Sequence, residues 1–281
     1  MANKGERTLE ILRDYYSDSD ILCVTEASIS FLEDVANHSM GDKYIVMAPL
    51  KVNKKKDQNS FVLLSKSAFG QSNGFSVPRD ITDEVIQVLA ETNQQKMLAD
   101  GDLVLLYLEN RAGQSFVVGA FHGDTQGRST IPMIDATMTV LAQPKYKDCA
   151  FVLGSDANCY RDKKPSTLFV DDFSDRLEYH DLRSCFGSPI QRDKVTTCMA
   201  RTFLQPQMNK ANPAKIRTVN GDTNPKDHII YRDAIKHRAG MHLPGAGAAR
   251  RDNSGKGVFT VRHSCKCLLC WLMVIFCVPN L

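Results

Sequence analysis

What this chain lacks narrows its reading first. It has one tryptophan in 281 residues, a formal net charge of only +3, and no long apolar run ahead of its C-terminal tail. So small a charge does not itself gather a polyanion, so nucleic-acid binding does not follow from charge. The opening segment MANKGERTLEILRDYY carries charges throughout and has no apolar core of a secretory signal, so an intracellular protein is expected. No internal repeat is present. A paired cysteine framework is missing too. Of nine cysteines, Cys23, Cys149, Cys159, Cys185 and Cys198 stand singly, which excludes a disulfide scaffold and points to a reducing compartment. Cys23 and Cys149 fall within strand-like runs and are expected as small buried hydrophobes.

The other four cysteines crowd into the tail SCKCLLCWLMVIFCVPNL. Cys265, Cys267 and Cys270 lack a fourth zinc ligand at the usual spacing. The apolar stretch Leu268 to Val278 is roughly half of a helical bilayer span. Arg250, Arg251, Lys256, Arg262 and Lys266 precede it, so a tail anchor is the one route to a membrane that the sequence offers. The expected organisation is one α/β domain over residues 1–235, a loop or irregular segment over 236–262, and a tail over 263–281 outside the fold. The length suffices for one large core.

Apolar periodicity predicts a helix over Glu6–Tyr16, then a buried strand over Ile21–Thr25 that ends at Glu26. A helical stretch at Phe31–Val35 comes after it, then strands at Tyr44–Leu50 and Ser60–Ser65. Between these two lies the basic tip Lys51-Val52-Asn53-Lys54-Lys55-Lys56, read as a solvated hairpin end or as a contact for substrate phosphates. Residues Ile81–Ala99 read as one helix with Ile81, Val85, Val88, Leu89 and Met97 on its apolar face. Leu103–Glu109 and Ser115–Phe121 form a predicted hairpin. A helix over Ser129–Leu141, a strand over Cys149–Leu153 and a helix over Thr167–Tyr179 come next. An extended segment at Arg201–Gln207 and a last strand at His228–Tyr231 complete the pattern. Several hairpins among helices point to α/β layers rather than a simple doubly wound sheet.

Chemistry-bearing residues gather at the ends of these strands, which converge in space. Glu26 in CVTEA is either a cation ligand or a carboxylate facing water, since burying it alone is costly. Asp156 and Asn158 in LGSDAN are two apart, so extended backbone points both side chains one way. They can orient water and hold a phosphoryl oxygen, or form an Asx-rich turn. His122 in AFHGDT can donate to a phosphate oxygen or act as a polar cap, and Asp124 and Thr125 beside it either assist or form a turn. Asp227 in PKDHIIY can orient a histidine or support a metal, while His228 should face the opposite way and pack. Arg201, Gln205, Asn209 and Lys210 offer donors to a substrate phosphate or a surface loop.

The order of a glutamate at a strand end, then F-H-G, then G-x-D-x-N, then D-x-I-I resembles the endonuclease/exonuclease/phosphatase superfamily over roughly Ile21 to Tyr231. The resemblance implies a four-layer α/β-β/α sandwich with two central mixed sheets. It also implies Mg²⁺ (or Mn²⁺)-dependent hydrolysis of phosphate esters, of nucleic acid, phosphoinositide or another kind. Glu26 then looks like the metal-binding glutamate and His122 like an active-site histidine. Asp156 with Asn158 looks like the Asp-x-Asn pair, and Asp227 like the aspartate opening a core strand. Arg201, Asn209 and Lys210 fall where substrate donors are expected; no obligate protein partner is implied. Two family elements are missing: an upstream strand carrying an asparagine, and a Ser-Asp-His string after Asp227. His263 has no aspartate before it. The domain is therefore expected to be incomplete at both ends, with a non-cutting binding module of the same fold as the alternative function.

Overall fold

The computed structural model describes residues 4–54, 58–111, 113–194, 196 and 224–232, with the backbone of 260–261 and 273–277. In chain order the elements are α1 (Lys4–Tyr16), β1 (Ile21–Ala27), α2 (Phe31–Ala36), α3 (Met40–Lys43), β2 (Tyr44–Met47), β3 (Asn59–Ser65), α4 (Lys66–Phe69), β4 (Arg79–Asp80) and α5 (Thr82–Glu91). Next come β5 (Leu103–Glu109), β6 (Ser115–His122), α6 (Thr130–Leu141), β7 (Ala150–Asp156), α7 (Val170–Tyr179), β8 (Arg183–Ser184), β9 (Asp227–Arg232), β10 (Thr260–Val261) and β11 (Met273–Cys277).

They form two sheets, ordered β10-β11-β1-β3-β2 and β4-β5-β6-β7-β9-β8. Three apolar clusters define four layers. Leu9 and Leu12 of α1 and Phe31 of α2 pack on Leu22, Val24, Phe61 and Leu63 of the first sheet. Ile21, Cys23, Val62 and Leu64 on its other face meet Val104, Leu106, Val118, Ala120 and Val152 of the second sheet. The far face of the second sheet, with Leu105, Val117, Phe121 and Phe151, is covered by α5, α6 and α7. Central strands buried on both faces explain why they read as unbroken apolar runs. This is the four-layer α/β sandwich expected. Among the described strands the β6–β7 ladder is parallel and the other ladders are antiparallel.

Two expectations need correction. The helix predicted through Ala99 ends at Glu91, because Thr92 turns its hydroxyl back to the carbonyls of Val88 and Leu89 (3.3 and 3.1 Å) and Asn93 takes φ +57°. Asparagine enters that left-handed region more readily than most residues, and the helix stops there. Met97, assigned to the apolar face, is 42% exposed. The tail of 263–281 was expected outside the fold, yet Met273–Cys277 runs antiparallel along β1 with Phe276 opposite Ile21. An uncovered edge on β1 would expose a row of unpaired N–H and C=O groups, and an apolar five-residue strand satisfies them. Among the described residues no helix is long and apolar enough to cross a membrane. Cys23 and Cys149 are buried free thiols, as their strand setting predicts.

Candidate active site

The site grows out of the same alternation that builds the core. On β6, Phe116, Val118 and Ala120 face the first sheet, and the next residue of that row is His122. On β7 the row Ala150, Val152 ends at Asp156, and on β9 Ile229 is preceded by Asp227. Register then sets the three side by side: His122 lies opposite Asp156 in the parallel pair, and Asp156 opposite Asp227 in the antiparallel one. A period of two thus turns the end of an apolar face into a row of titratable groups.

Glu26 arrives from the other sheet by breaking that rule. Strict alternation after Cys23 and Val24 would send Glu26 toward the helices. Instead the register with β3 shifts between Val24 and Ala27, and Glu26 takes φ +54°. A bulge re-aims a side chain in this way, and a non-glycine residue held at positive φ is a strained feature that clusters at functional sites. Glu26 Oε1 consequently sits 3.1 Å from His122 Nε2, with Asp156 Oδ2 3.8 Å from the same nitrogen. One ligand atom each from Glu26, His122 and Asp156 lies within 4.8 Å of the others, a set able to hold a metal ion.

The bulge is fixed by Asn59, fully buried at the start of β3. Its amide donates to Ala27 O (3.2 Å) and Asn53 O (3.1 Å), and its Oδ1 accepts from Asn53 N (2.6 Å). Gly101, at φ +93°, closes over it; a Cβ there would fall 2.3 Å from Asn59 Oδ1. Replacing Asn59 with alanine removes these three buried hydrogen bonds to the backbone and is expected to cost about 2 kcal/mol or more. The readout is a lower urea midpoint at unchanged slope; an unmoved midpoint would mean the bulge holds itself.

Electrostatics follow from burial. Burial works against a charge on His122, but Asp102, Glu26 and Asp156 outweigh it and push the imidazole up to about 10. Burial, aided by the charge of Glu26, pushes Asp156 up to about 6, against the pull of His122 and Lys226. Asp227 is 1% exposed, and neither carboxylate oxygen has a hydrogen-bond partner among the described residues. Burial and the charge of Asp156 raise it well above the ordinary carboxylate value.

Asn158 stands at φ +48° and donates its amide to Gly123 O (3.0 Å), while its N–H reaches Asp156 Oδ1 (3.2 Å). It therefore ties the loop after β7 to the loop after β6. Asp124 directs its carboxylate to the backbone N–H groups of Ser129 (2.7 Å) and Gln126 (3.2 Å), which is the turn reading. His228 is fully buried against Phe173 and Phe186, the packing role read from its parity. Lys51 of the basic tip is exposed and faces Asp83 at 3.4 Å. Arg201, Gln205, Asn209 and Lys210, and the extended segment predicted around them, lie outside the described residues.

Sequence reasoning passed over Asp102. Its Oδ1 lies 3.9 Å from His122 Nδ1, which has no hydrogen-bond partner among the described residues, and its carbonyl accepts from His122 N at 2.8 Å. The signal was present: β5 pairs antiparallel with β6, so the residue before Leu103 must neighbour the end of β6.

No family model matches the sequence, and no curated protein matches it. Solved structures with a related arrangement include D. rerio TDP2 complexed with single-strand DNA product, 10% identical over 82% of this chain and 76% of that one, at a TM-score of 0.45. Another is an endonuclease/exonuclease/phosphatase family protein from Bacteroides thetaiotaomicron, 9% identical over 81% and 73%, at 0.46. The human Nocturnin catalytic domain with bound sulfate is 12% identical over 82% and 75%, at 0.45. To these the chain is similar in outline. Such scores leave residue correspondences unassigned.

Proposed function

We propose that Glu26, with Asp156 and His122 beside it, holds the divalent cation of a phosphate-ester hydrolase in which water attacks phosphorus in line with the leaving oxygen. The observation that carries this reading is the meeting of three ligand atoms within 4.8 Å, one of them brought from the opposite sheet by a strained bulge. Carboxylate oxygens suit a small divalent ion that keeps several waters, Mg²⁺ or Mn²⁺. The elevated affinity of His122 for a proton reflects how strongly this corner attracts positive charge.

When bound, the cation would polarise a phosphoryl oxygen and ease ionisation of water. Glu26 holds it. Asp156, raised to about 6, can take a proton from the attacking water near neutral pH. His122 in its charged form donates to a phosphoryl oxygen, and Asn158 keeps one amide hydrogen for the same purpose. Asp227, opposite Asp156 in the β7–β9 pair, supports it. Arg201, Asn209 and Lys210 are proposed as donors to the rest of the substrate, which is a nucleic acid, a phosphoinositide or another phosphate ester. The second reading is a binding module that does not cut, favoured by the lack of a Ser-Asp-His string after Asp227.

The test is hydrolysis of nucleic-acid, phosphoinositide and sphingomyelin panels with Mg²⁺ and with EDTA. Turnover that needs Mg²⁺ supports the hydrolase, whereas affinity without product selects the binding module, and metal-independent turnover removes the metal centre. Mg²⁺ at about a hundred times its Kd should add about 2.7 kcal/mol of stability. For a domain of this size that is a Tm rise of about 5–10 °C. Differential scanning fluorimetry reads it without any substrate, and an unmoved Tm counts against the site.

A further inference from the structure

On the face of the second sheet that α7 covers, His228 does more than pack. Its ring is fully buried and meets Phe173 and Phe186 at centroid distances of 5.0 and 5.6 Å. Its Nε2 stands 2.6 Å from the carbonyl oxygen of Pro225, just ahead of β9. That oxygen has no proton to give, so Nε2 carries one and donates it. The same N–H faces Cys159 Sγ at 3.2 Å, and the Cys159 thiol donates to the same Pro225 oxygen at 2.7 Å. At the other ring nitrogen, Nδ1 meets the Ser184 hydroxyl at 3.1 Å. One imidazole thus joins β8, the entry to β9 and the loop after β7.

What these bonds grip is the residue next to Asn158. At φ +48° Asn158 is strained, and such a conformation persists only where its surroundings over-determine it. Its amide bond to Gly123 O and its N–H bond to Asp156 Oδ1 hold one side. The following residue, Cys159, is fully buried with its sulfur fixed against Pro225 and His228, which holds the other. Burial and the charges of Asp227 and Asp156 raise the Cys159 thiol well above its ordinary value, so it serves as a donor and not as a nucleophile. With Cys159 released, Asn158 relaxes toward negative φ and its amide turns from the phosphoryl oxygen.

We propose that His228 is a positioning residue: through its Nε2–H it holds Pro225 O and Cys159, and so keeps Asn158 in the strained conformation that presents its amide to substrate. What Asn158 does to a phosphoryl oxygen rests on the hydrolase reading; the grip on Asn158 does not. A histidine that only packs is indifferent to which ring nitrogen finds a partner. Here glutamine, whose amide nitrogen falls near the place of Nε2, should substitute for it. Asparagine, whose shorter side chain reaches only as far as Nδ1, should not.

Amide hydrogen exchange on the metal-free protein reads the grip without substrate. His228→Asn should quicken exchange of the Asn158 N–H about tenfold, the weight of one or two buried hydrogen bonds. The Leu105 N–H, held by Thr82 Oγ1 at 2.9 Å in the same sheet, should exchange as in wild type. His228→Gln should leave both near their wild-type rates. Cys159→Val, which removes the thiol and leaves His228 intact, should quicken the Asn158 N–H about threefold in the same selective way. With Mg²⁺ and a phosphate ester that wild type hydrolyses, His228→Asn should lower kcat about tenfold at a KM changed less than about twofold, and His228→Gln should restore it. In an Asn158→Ala background the further loss from His228→Asn should be under about twofold, because both changes strike one contact. If the two His228 variants exchange alike, if Leu105 quickens as much as Asn158, if Cys159→Val leaves Asn158 unmoved, or if the kcat losses multiply, His228 only packs and the hydrolase reading stands. A wild type that hydrolyses none of the esters removes the hydrolase reading, and the exchange rates then judge the grip by themselves.

Discussion

Asp156→Asn is expected to lower kcat/KM for phosphate-ester hydrolysis by at least about a thousandfold, the range lost when a positioned proton acceptor in a cooperating group is removed. The same change should stabilise the metal-free fold. The native state holds the Asp156 proton up to about pH 6, above an ordinary carboxylate. Its charged form is thus disfavoured by folding, and wild-type stability improves as pH falls through 6 toward the unfolded value. Asparagine resembles the protonated acid at every pH. The variant should therefore exceed wild type by about 1–3 kcal/mol at pH 8 and match it near pH 4. Steady-state rates with Mg²⁺, and chemical denaturation at both pH values without it, check the two halves. Retained turnover removes Asp156 from the chemistry, and a variant weaker than wild type at pH 8 removes the account of its burial.

The second large effect concerns His122. Its proton is held up to about pH 10 in the native state, well above the unfolded value. A group raised in this direction contributes fully below about pH 6.5, and that contribution is lost as pH climbs through 10. Metal-free protein should accordingly lose on the order of 5–10 °C in Tm between pH 7 and 10. Tyrosines and lysines also titrate at the upper end, so the comparison with His122→Gln isolates the histidine: its Tm should be lower at pH 7 and much flatter across the window. Mg²⁺ should reverse the dependence, because a cation competes with the proton for the same carboxylates. Parallel curves for wild type and variant would show that the imidazole is not charged in the fold.

Most of the architecture was legible because burial writes itself into the chain. Both faces of β5, β6 and β7 are covered, so they read as continuous apolar runs, and their ends could be marked within a residue or two. His122, Asp156 and Asp227 could be named because each terminates such a run. Glu26 was named too, but not for the right geometric reason: a period-two reading turns it away from the site, and only the bulge opposite Asn59 brings it in. Bulges leave almost no local signature, since the extra residue carries no special composition. Asp102 and Lys226 carry no such mark, because each sits in the loop ahead of its strand and reaches the site only through the pairing of that strand with its neighbours. The helix predicted through Ala99 stopped short at Asn93, where one left-handed residue outweighs a good apolar period. The tail strand along β1 was hidden by its composition, since an apolar cysteine-rich run looks the same whether it joins a sheet or leaves the domain.

The row His122–Asp156–Asp227 also has a meaning for how the sheet finds its alignment. Were β7 to slide by a single position, Asp156 would swing to the side where α6 and α7 press, a layer lined with Phe121, Phe151 and Phe173. A carboxylate forced among aromatic rings is far costlier than one at a solvent-touching rim. Mispaired folds are thereby rejected by the very groups proposed to act on substrate, and misthreaded molecules should be too unstable to persist as inactive impostors.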